Sequence, residues 1–127
     1  ESSQAPKAPG MKYRHYAPKG ELTIVEGSPE QVVDYVNRSA AEDRAAGEKT
    51  GVIAASDFLG GYCADVVKCV GSREEEEGIA RKLYAILREF DDEGVTRIYS
   101  EGFDSQGLGQ AIMNRLLKAA GHNVVRL

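Results

Sequence analysis

Apolar and polar positions along the chain switch between a period near two and a period near 3.6, and those switches lay out its elements. Leu-Thr-Ile-Val at 22–25 is a short β-rich run that reads as a strand. Ser28-Pro29-Glu30-Gln31 then opens a helix, with serine as cap, proline at the first helical position and glutamine three residues after the cap. Val32, Val33, Val36 and Ala40 supply its buried face, and Gly47 its stop. A second strand is predicted over 50–55, broken by Asp57-Phe58-Leu59-Gly60-Gly61, and a third over 64–70. Ser72-Arg73-Glu74-Glu75 is a second capping box, and Ile79, Leu83, Ile86, Leu87 and Phe90 fall on one face of the helix it opens. The chain closes with a strand over 95–99, a helix from about 108 to 120 and a strand over 123–127. The last helix turns Leu108, Ile112, Leu116 and Ala119 inward and stops at Gly121.

Strands alternating with helices predict the α/β class, as a small three-layer Rossmann-like domain. Its sheet is expected to be mostly parallel, of about five strands, with helices on both faces. The connection from the second strand to the third lacks a helix. It is either a short crossover or an antiparallel edge pair.

Residues 1–20 behave differently from residues 21–127. They contain Pro6, Pro9 and Pro18 and show no apolar period, so they read as an extended linker ahead of the folded domain. Ten extended residues reach on the order of 30 Å, enough to cross an active-site cleft. The formal charge of −4 is unevenly spread: Lys7, Lys12, Arg14 and Lys19 face Glu1 alone in the linker, leaving the domain strongly acidic. An acidic domain repels phosphates and makes a poor general nucleic-acid binder. Composition adds little else, since 42% hydrophobic and 28% charged residues fit one ordinary soluble domain. No apolar run approaches the ~20 residues of a membrane span. Cys63 and Cys69 form no CxxC pair and fit a reducing cytosol, so a cytoplasmic protein is expected. Beginning at Glu1, the chain reads as a fragment or a processed product.

Candidate chemistry in the domain is sparse. Gly102-Phe103-Asp104-Ser105-Gln106-Gly107-Leu108-Gly109 lies where a strand gives way to a helix, the usual ligand end of an open α/β sheet. Leu108 and Gly109 stand where a P-loop needs lysine and serine or threonine, and Ile112 stands where a dinucleotide fingerprint needs a small residue. The glycines therefore read as a tight turn. Glu74 to Glu77 complement a helix dipole, Met113 reads as core filler, and His122 follows a helix end. Asn114 and Arg115 sit mid-helix, and Tyr62, Tyr84 and Tyr99 read as half-buried core or rim. Two cysteines and two distant histidines, His15 and His122, do not make a zinc site. With no nucleophile motif or paired carboxylates, the domain does not read as a self-sufficient enzyme, and no cofactor is expected in it.

The linker is richer. In an extended chain Lys12, Arg14 and Tyr16 share one side, and Tyr13 and His15 the other. Ammonium, guanidinium and phenol together suit phosphates and a flat ring. By composition alone the segment reads first as a solvated tail, as linkers usually are.

Two stretches, Pro9-Gly10-Met11-Lys12-Tyr13-Arg14-His15-Tyr16-Ala17-Pro18 and Gly107-Leu108-Gly109-Gln110-Ala111-Ile112-Met113-Asn114-Arg115-Leu116, carry a resemblance. In order and spacing they resemble the interdomain linker and C-terminal domain of the long, two-domain threonylcarbamoyl-AMP synthases. The resemblance implies a protein that combines threonine, bicarbonate and ATP into threonylcarbamoyl-adenylate, releasing pyrophosphate, for threonylcarbamoyladenosine in tRNA. Catalysis, with ATP and Mg²⁺, would lie in an N-terminal catalytic domain outside this chain, which alone would be inactive. The linker would fold back over that domain's cleft, with Lys12 and Arg14 toward the nucleotide phosphates or the departing pyrophosphate, and Tyr13, His15 and Tyr16 closing the cleft or contacting the substrate. Two other readings are an RNA-binding module with a basic arm, which the domain's acidity speaks against, and a stand-alone nucleotide- or partner-binding Rossmann-like module with a site at 101–109.

Overall fold

The computed structural model describes residues 18–54, 61–70, 76–102 and 108–127, with the backbone alone over 76–81 and 108–111. Five strands and three helices follow in the order β1 (Glu21–Glu26), α1 (Pro29–Ala45), β2 (Thr50–Ala54), β3 (Val66–Cys69), α2 (Glu76–Asp92), β4 (Arg97–Glu101), α3 (Leu108–Ala119) and β5 (Val124–Arg126). The strands form one sheet in the order β3-β2-β4-β1-β5, and every pairing is parallel. Glu21 lies opposite Arg97, Thr50 opposite the same Arg97, Gly51 opposite Val66, and Ile24 opposite Val124. The expected three-layer α/β domain is what forms. The helix-free β2–β3 connection is a crossover between parallel strands, not an antiparallel pair.

Local chemistry explains the helix ends. At the start of α1, Ser28 Oγ accepts from the Gln31 N–H while Gln31 Oε1 accepts from the Ser28 N–H, so the capping box forms with Pro29 inside it. All three helices stop the same way. Gly47, Gly94 and Gly121 each sit two residues past the helix with φ of 90°, 76° and 61°, which a side chain would resist. The next N–H then reaches back five residues: Glu48 to Asp43 O, Val95 to Phe90 O and His122 to Leu117 O. His122 itself adopts φ 62°. The residues framing the start of α2, Ser72 to Glu75, lie outside the described residues.

Alternation along the strands sends side chains to two different layers. On one face Leu22, Ile24, Ile53 and Ile98 meet α2 and α3 through Leu83, Ile86, Leu87, Phe90, Ile112, Met113 and Leu116. Gly51 lies under the Phe90 ring: a Cβ there would stand 2.8 Å from Phe90 Cε1 and 3.0 Å from Val95 Cγ1. On the other face Val25, Val52, Ala54 and Tyr99 meet α1 through Val32 and Val36, with Tyr62 of the β2–β3 crossover beside them. The predicted core positions that are described are buried except Val33 and Ala119, which are only partly buried against the two clusters, and Met113 joins the core as expected. Asn114 and Arg115 are exposed on α3. Tyr84 is half-buried as expected, with Arg88 5.9 Å above its ring, whereas Tyr62 and Tyr99, expected as half-buried core or rim, are both buried in the core. Their hydroxyls explain the difference, because each finds a carboxylate acceptor: Glu101 for Tyr62 and Asp43 for Tyr99.

Candidate functional site

The sheet has two ends, and each gathers a different set of groups. At the carboxyl ends, β1 and β4 lie side by side with Val25 opposite Glu101, and their outgoing helices α1 and α3 pack on opposite faces. That is the crevice where open α/β sheets place ligands. The Tyr62 hydroxyl, brought there by the crossover, donates to Glu101 Oε2 at 2.7 Å, and Glu101 is only 4% exposed. Ser100 Oγ donates to the Glu101 carbonyl at 2.8 Å. Next to it Arg126 Nε holds Glu26 Oε1 at 3.1 Å, and a Cβ on Gly102 would meet Glu26 Cγ at 3.0 Å. Among the described residues, the polar groups at this end are taken up by these pairs. Of the glycine-rich stretch singled out in the sequence, residues 103–107 lie outside the described residues.

At the amino ends the incoming chain is secured from several directions. The Lys19 N–H donates to Asp91 Oδ1 at 2.8 Å, across to the last turn of α2. The Glu21 N–H donates to the Thr96 carbonyl at 2.9 Å, which starts the β1–β4 ladder. Between them Gly20 passes so close to the α2–β4 turn that a Cβ would stand 2.6 Å from the Val95 oxygen. Arg97 bridges Glu21 and Glu48 at 3.4 and 3.7 Å, and Thr96 Oγ1 donates to Glu48 Oε1 at 2.6 Å. An open groove of about 520 Å³ runs beside this root, lined by Lys19, Glu21, Glu48, Asp91, Thr96 and Arg97. Lys12, Tyr13, Arg14, His15 and Tyr16, the residues chosen from the sequence, lie outside the described residues. The structure places the point from which they depart.

Neither Gly20 nor Asp91 was chosen from the sequence, yet both had a signal. Gly20 is a glycine directly before a strand. Asp91 is an acid in the last turn of a helix, where the dipole favours cations and where α2 has none. Neighbouring acids have visible partners as well: Glu89 and Glu93 both hold Lys68 Nζ at 3.1 Å. Burial alone would lower the Lys68 pKa, but those two carboxylates outweigh it and raise it. Among the described residues no three of His, Cys, Asp and Glu group as metal ligands.

Known proteins share this arrangement. The family model of the threonylcarbamoyl-AMP synthase C-terminal domain matches residues 1–121. Threonylcarbamoyl-AMP synthase of Bacillus subtilis (strain 168) is 44% identical over 126 residues, covering 99% of this chain and 35% of that protein. Sua5 of Pyrococcus abyssi, solved with L-threonine, superposes with a TM-score of 0.78 at 41% identity over all of this chain and 36% of its own. A variant of that protein with a histidine and the adjacent tyrosine both changed to alanine gives 0.77 at 38% identity, over all of this chain and 35% of its own. The C-terminal Sua5 domain of a Pyrococcus horikoshii protein, solved by itself, gives 0.69 at 35% identity over 87% of this chain and all of its own. This chain therefore spans about a third of the length of the curated relatives it matches, and it belongs to the family of threonylcarbamoyl-AMP synthase C-terminal domains.

Proposed function

We propose that this chain is the accessory C-terminal part of a two-domain enzyme that makes threonylcarbamoyl-adenylate from threonine, bicarbonate and ATP, releasing pyrophosphate. The product serves threonylcarbamoyladenosine formation in tRNA, in the cytoplasm. Catalysis, ATP and Mg²⁺ belong to an N-terminal catalytic domain, the chain's main partner. Residues 1–20 act as a linker that covers that domain's cleft, and residues 21–127 hold the linker in place. Lys12 and Arg14 face the phosphates, while Tyr13, His15 and Tyr16 shut out the water that would hydrolyse a mixed anhydride.

The observation that carries this reading is the root of the linker. A passive tether would leave the domain at a loose end, whereas here Lys19, Gly20 and Glu21 are each fitted to the α2–β4 turn. Two further facts support it. The family match runs through linker and domain as one unit. His15-Tyr16 is also the one adjacent histidine–tyrosine pair in this sequence, the pair type removed in the P. abyssi variant.

Tyr16→Ala and Lys12→Ala in the full-length protein test it, with pyrophosphate release and thermal unfolding measured side by side. Each is expected to slow synthesis about tenfold or more, since misplacing or exposing a reacting group costs rate on that scale, while the unfolding midpoint stays put. Unchanged turnover in both variants would sink the covering role.

A further inference from the structure

We infer that Asp91 and Gly20 are positioning residues for the reaction proposed above: they fix the point and the direction in which the linker leaves the domain. This rests on the linker's covering role and adds to it the part of the domain that aims the linker.

The case begins with a residue that breaks a local rule. An acid in the last turn of a helix opposes the dipole. Asp91 occupies that turn in α2, which ends without a basic side chain. A locally unfavourable residue needs a compensating role elsewhere. For Asp91 the role on view is to accept the Lys19 N–H at 2.8 Å from 72 positions away in sequence. That bond holds backbone, not a side chain, so it constrains the path of the chain itself. It also sits just outside the sheet, two residues before β1 begins at Glu21.

Gly20 adds a steric constraint to the polar one. With the Val95 oxygen 2.6 Å from a notional Cβ and the Thr96 carbonyl carbon and oxygen both at 3.0 Å, the chain crosses the α2–β4 turn at glycine-only distance. Both neighbours are backbone atoms, so neither can rotate away. The turn is itself fixed by the Val95 N–H bond to Phe90 O, and Phe90 is fully buried. The direction of the linker is thus referred, through two contacts, to the middle of the core.

Direction matters because of leverage. From Lys12 to Lys19 the chain spans at most about 25 Å, so the place and direction of its root bound where residue 12 can be delivered. Misplacement by about 1 Å can cost around 10²-fold in rate.

The test compares Asp91→Ala, Asp91→Asn and Gly20→Ala in the full-length protein, with Tyr16→Ala for the covering role and Glu30→Ala as an exposed control. Asp91→Ala and Gly20→Ala are expected to lower kcat/KM about tenfold or more without an equivalent loss of thermal stability. Asp91→Asn keeps a side-chain carbonyl that can accept the Lys19 N–H, so it should retain most of the activity. Hydrogen exchange at the Lys19 amide, followed in this chain, should accelerate in Asp91→Ala and stay slow in Asp91→Asn. If Tyr16→Ala is impaired while Asp91→Ala and Gly20→Ala match Glu30→Ala, the positioning role is overturned and the covering role stands. If activity falls only in proportion to stability, or Asp91→Asn is as impaired as Asp91→Ala, positioning is overturned too. If Tyr16→Ala and Lys12→Ala leave turnover unchanged, the covering role falls, and positioning with it.

Discussion

The two faces of the sheet solve the same burial problem with different means. Among the described residues, the face under α2 and α3 gathers thirteen buried residues in one cluster, all of them apolar. The face under α1 gathers seven, and two of these are tyrosines with bonded hydroxyls. The reason lies in what covers them. Two helices supply one face with regular apolar stripes. The other has one helix plus the β2–β3 crossover, whose path side chains must fix. Asn37 does this from α1, donating to the Gly61 carbonyl at 2.9 Å and accepting the Cys63 N–H at 2.9 Å. Arg44 donates to the Cys63 carbonyl at 2.6 Å, and Asp65 takes both the N–H and the hydroxyl of Thr50. One face is held by volume, the other by direction.

That contrast can be broken from either side. The largest effect belongs to Phe90→Ala, which empties the centre of the apolar face and should cost about 3–5 kcal/mol in urea denaturation. A loss under 2 kcal/mol would mean that the cluster is less close-packed than its burial implies. Tyr62→Phe comes next. It keeps the ring and removes the donor to buried Glu101, for an expected loss of about 1–3 kcal/mol. Equal stability would show that the hydroxyl contributes nothing to that face. Asn37→Ala should follow at about 1–2 kcal/mol for its two bonds, with faster amide exchange confined to residues 61–63. Exchange spread evenly over the domain would argue against a local clamp.

The smallest effect is one of pH. The Thr50 N–H, helped by the Thr50 hydroxyl and by Arg44 and Lys49, holds the Asp65 carboxyl below its ordinary 3.8 despite some desolvation. A depressed folded-state pKa stabilises above the unfolded value, and that stability is lost as pH falls through the folded one. The unfolding midpoints of the parent chain and Asp65→Asn should therefore differ by a constant amount well above pH 3.8 and converge below it. Parallel curves through the acid range would remove Asp65 from the account. Tyr99 lies at the opposite extreme, since burial, with Asp43 beside it, raises its pKa. Its bond to Asp43 should therefore not respond to pH in the neutral range.

What could be read from sequence follows the range of the interactions responsible. Helix stripes such as Val32-Val36-Ala40 and Leu83-Ile86-Leu87-Phe90, and the three helix stops, arise within a few residues, so local pattern carried them. The β4 strand was expected at 95–99 and runs from Arg97 to Glu101, because Ser100 and Glu101 are buried polar residues with no apolar signature. The crossover stayed ambiguous because parallel pairing of β2 and β3 is settled by distant partners. The same holds at the site. Glu101 meets Tyr62 from 39 positions away and Asp91 meets Lys19 from 72. In isolation Asp91 looked only like a misplaced charge. The chemistry-rich Lys12 to Tyr16 was legible as composition, and resemblance to the synthases gave it a role, but those positions lie outside the described residues.

Strand order also sets a schedule. β1, the first strand of this chain, pairs with β4 and β5, the last two among the described residues, and Asn123 Nδ2 donates back to Thr23 Oγ1 at 2.8 Å. During synthesis the chain must hold β1 unpaired until residue 97 and beyond has emerged, a delay typical of slow, high-contact-order sheets. Asp91 and Thr96 are made in the same late stretch. The Lys19 and Glu21 N–H groups therefore have no fixed acceptor until residues 91–96 have been made, so the entry into β1 is set late, by a stretch far along the chain.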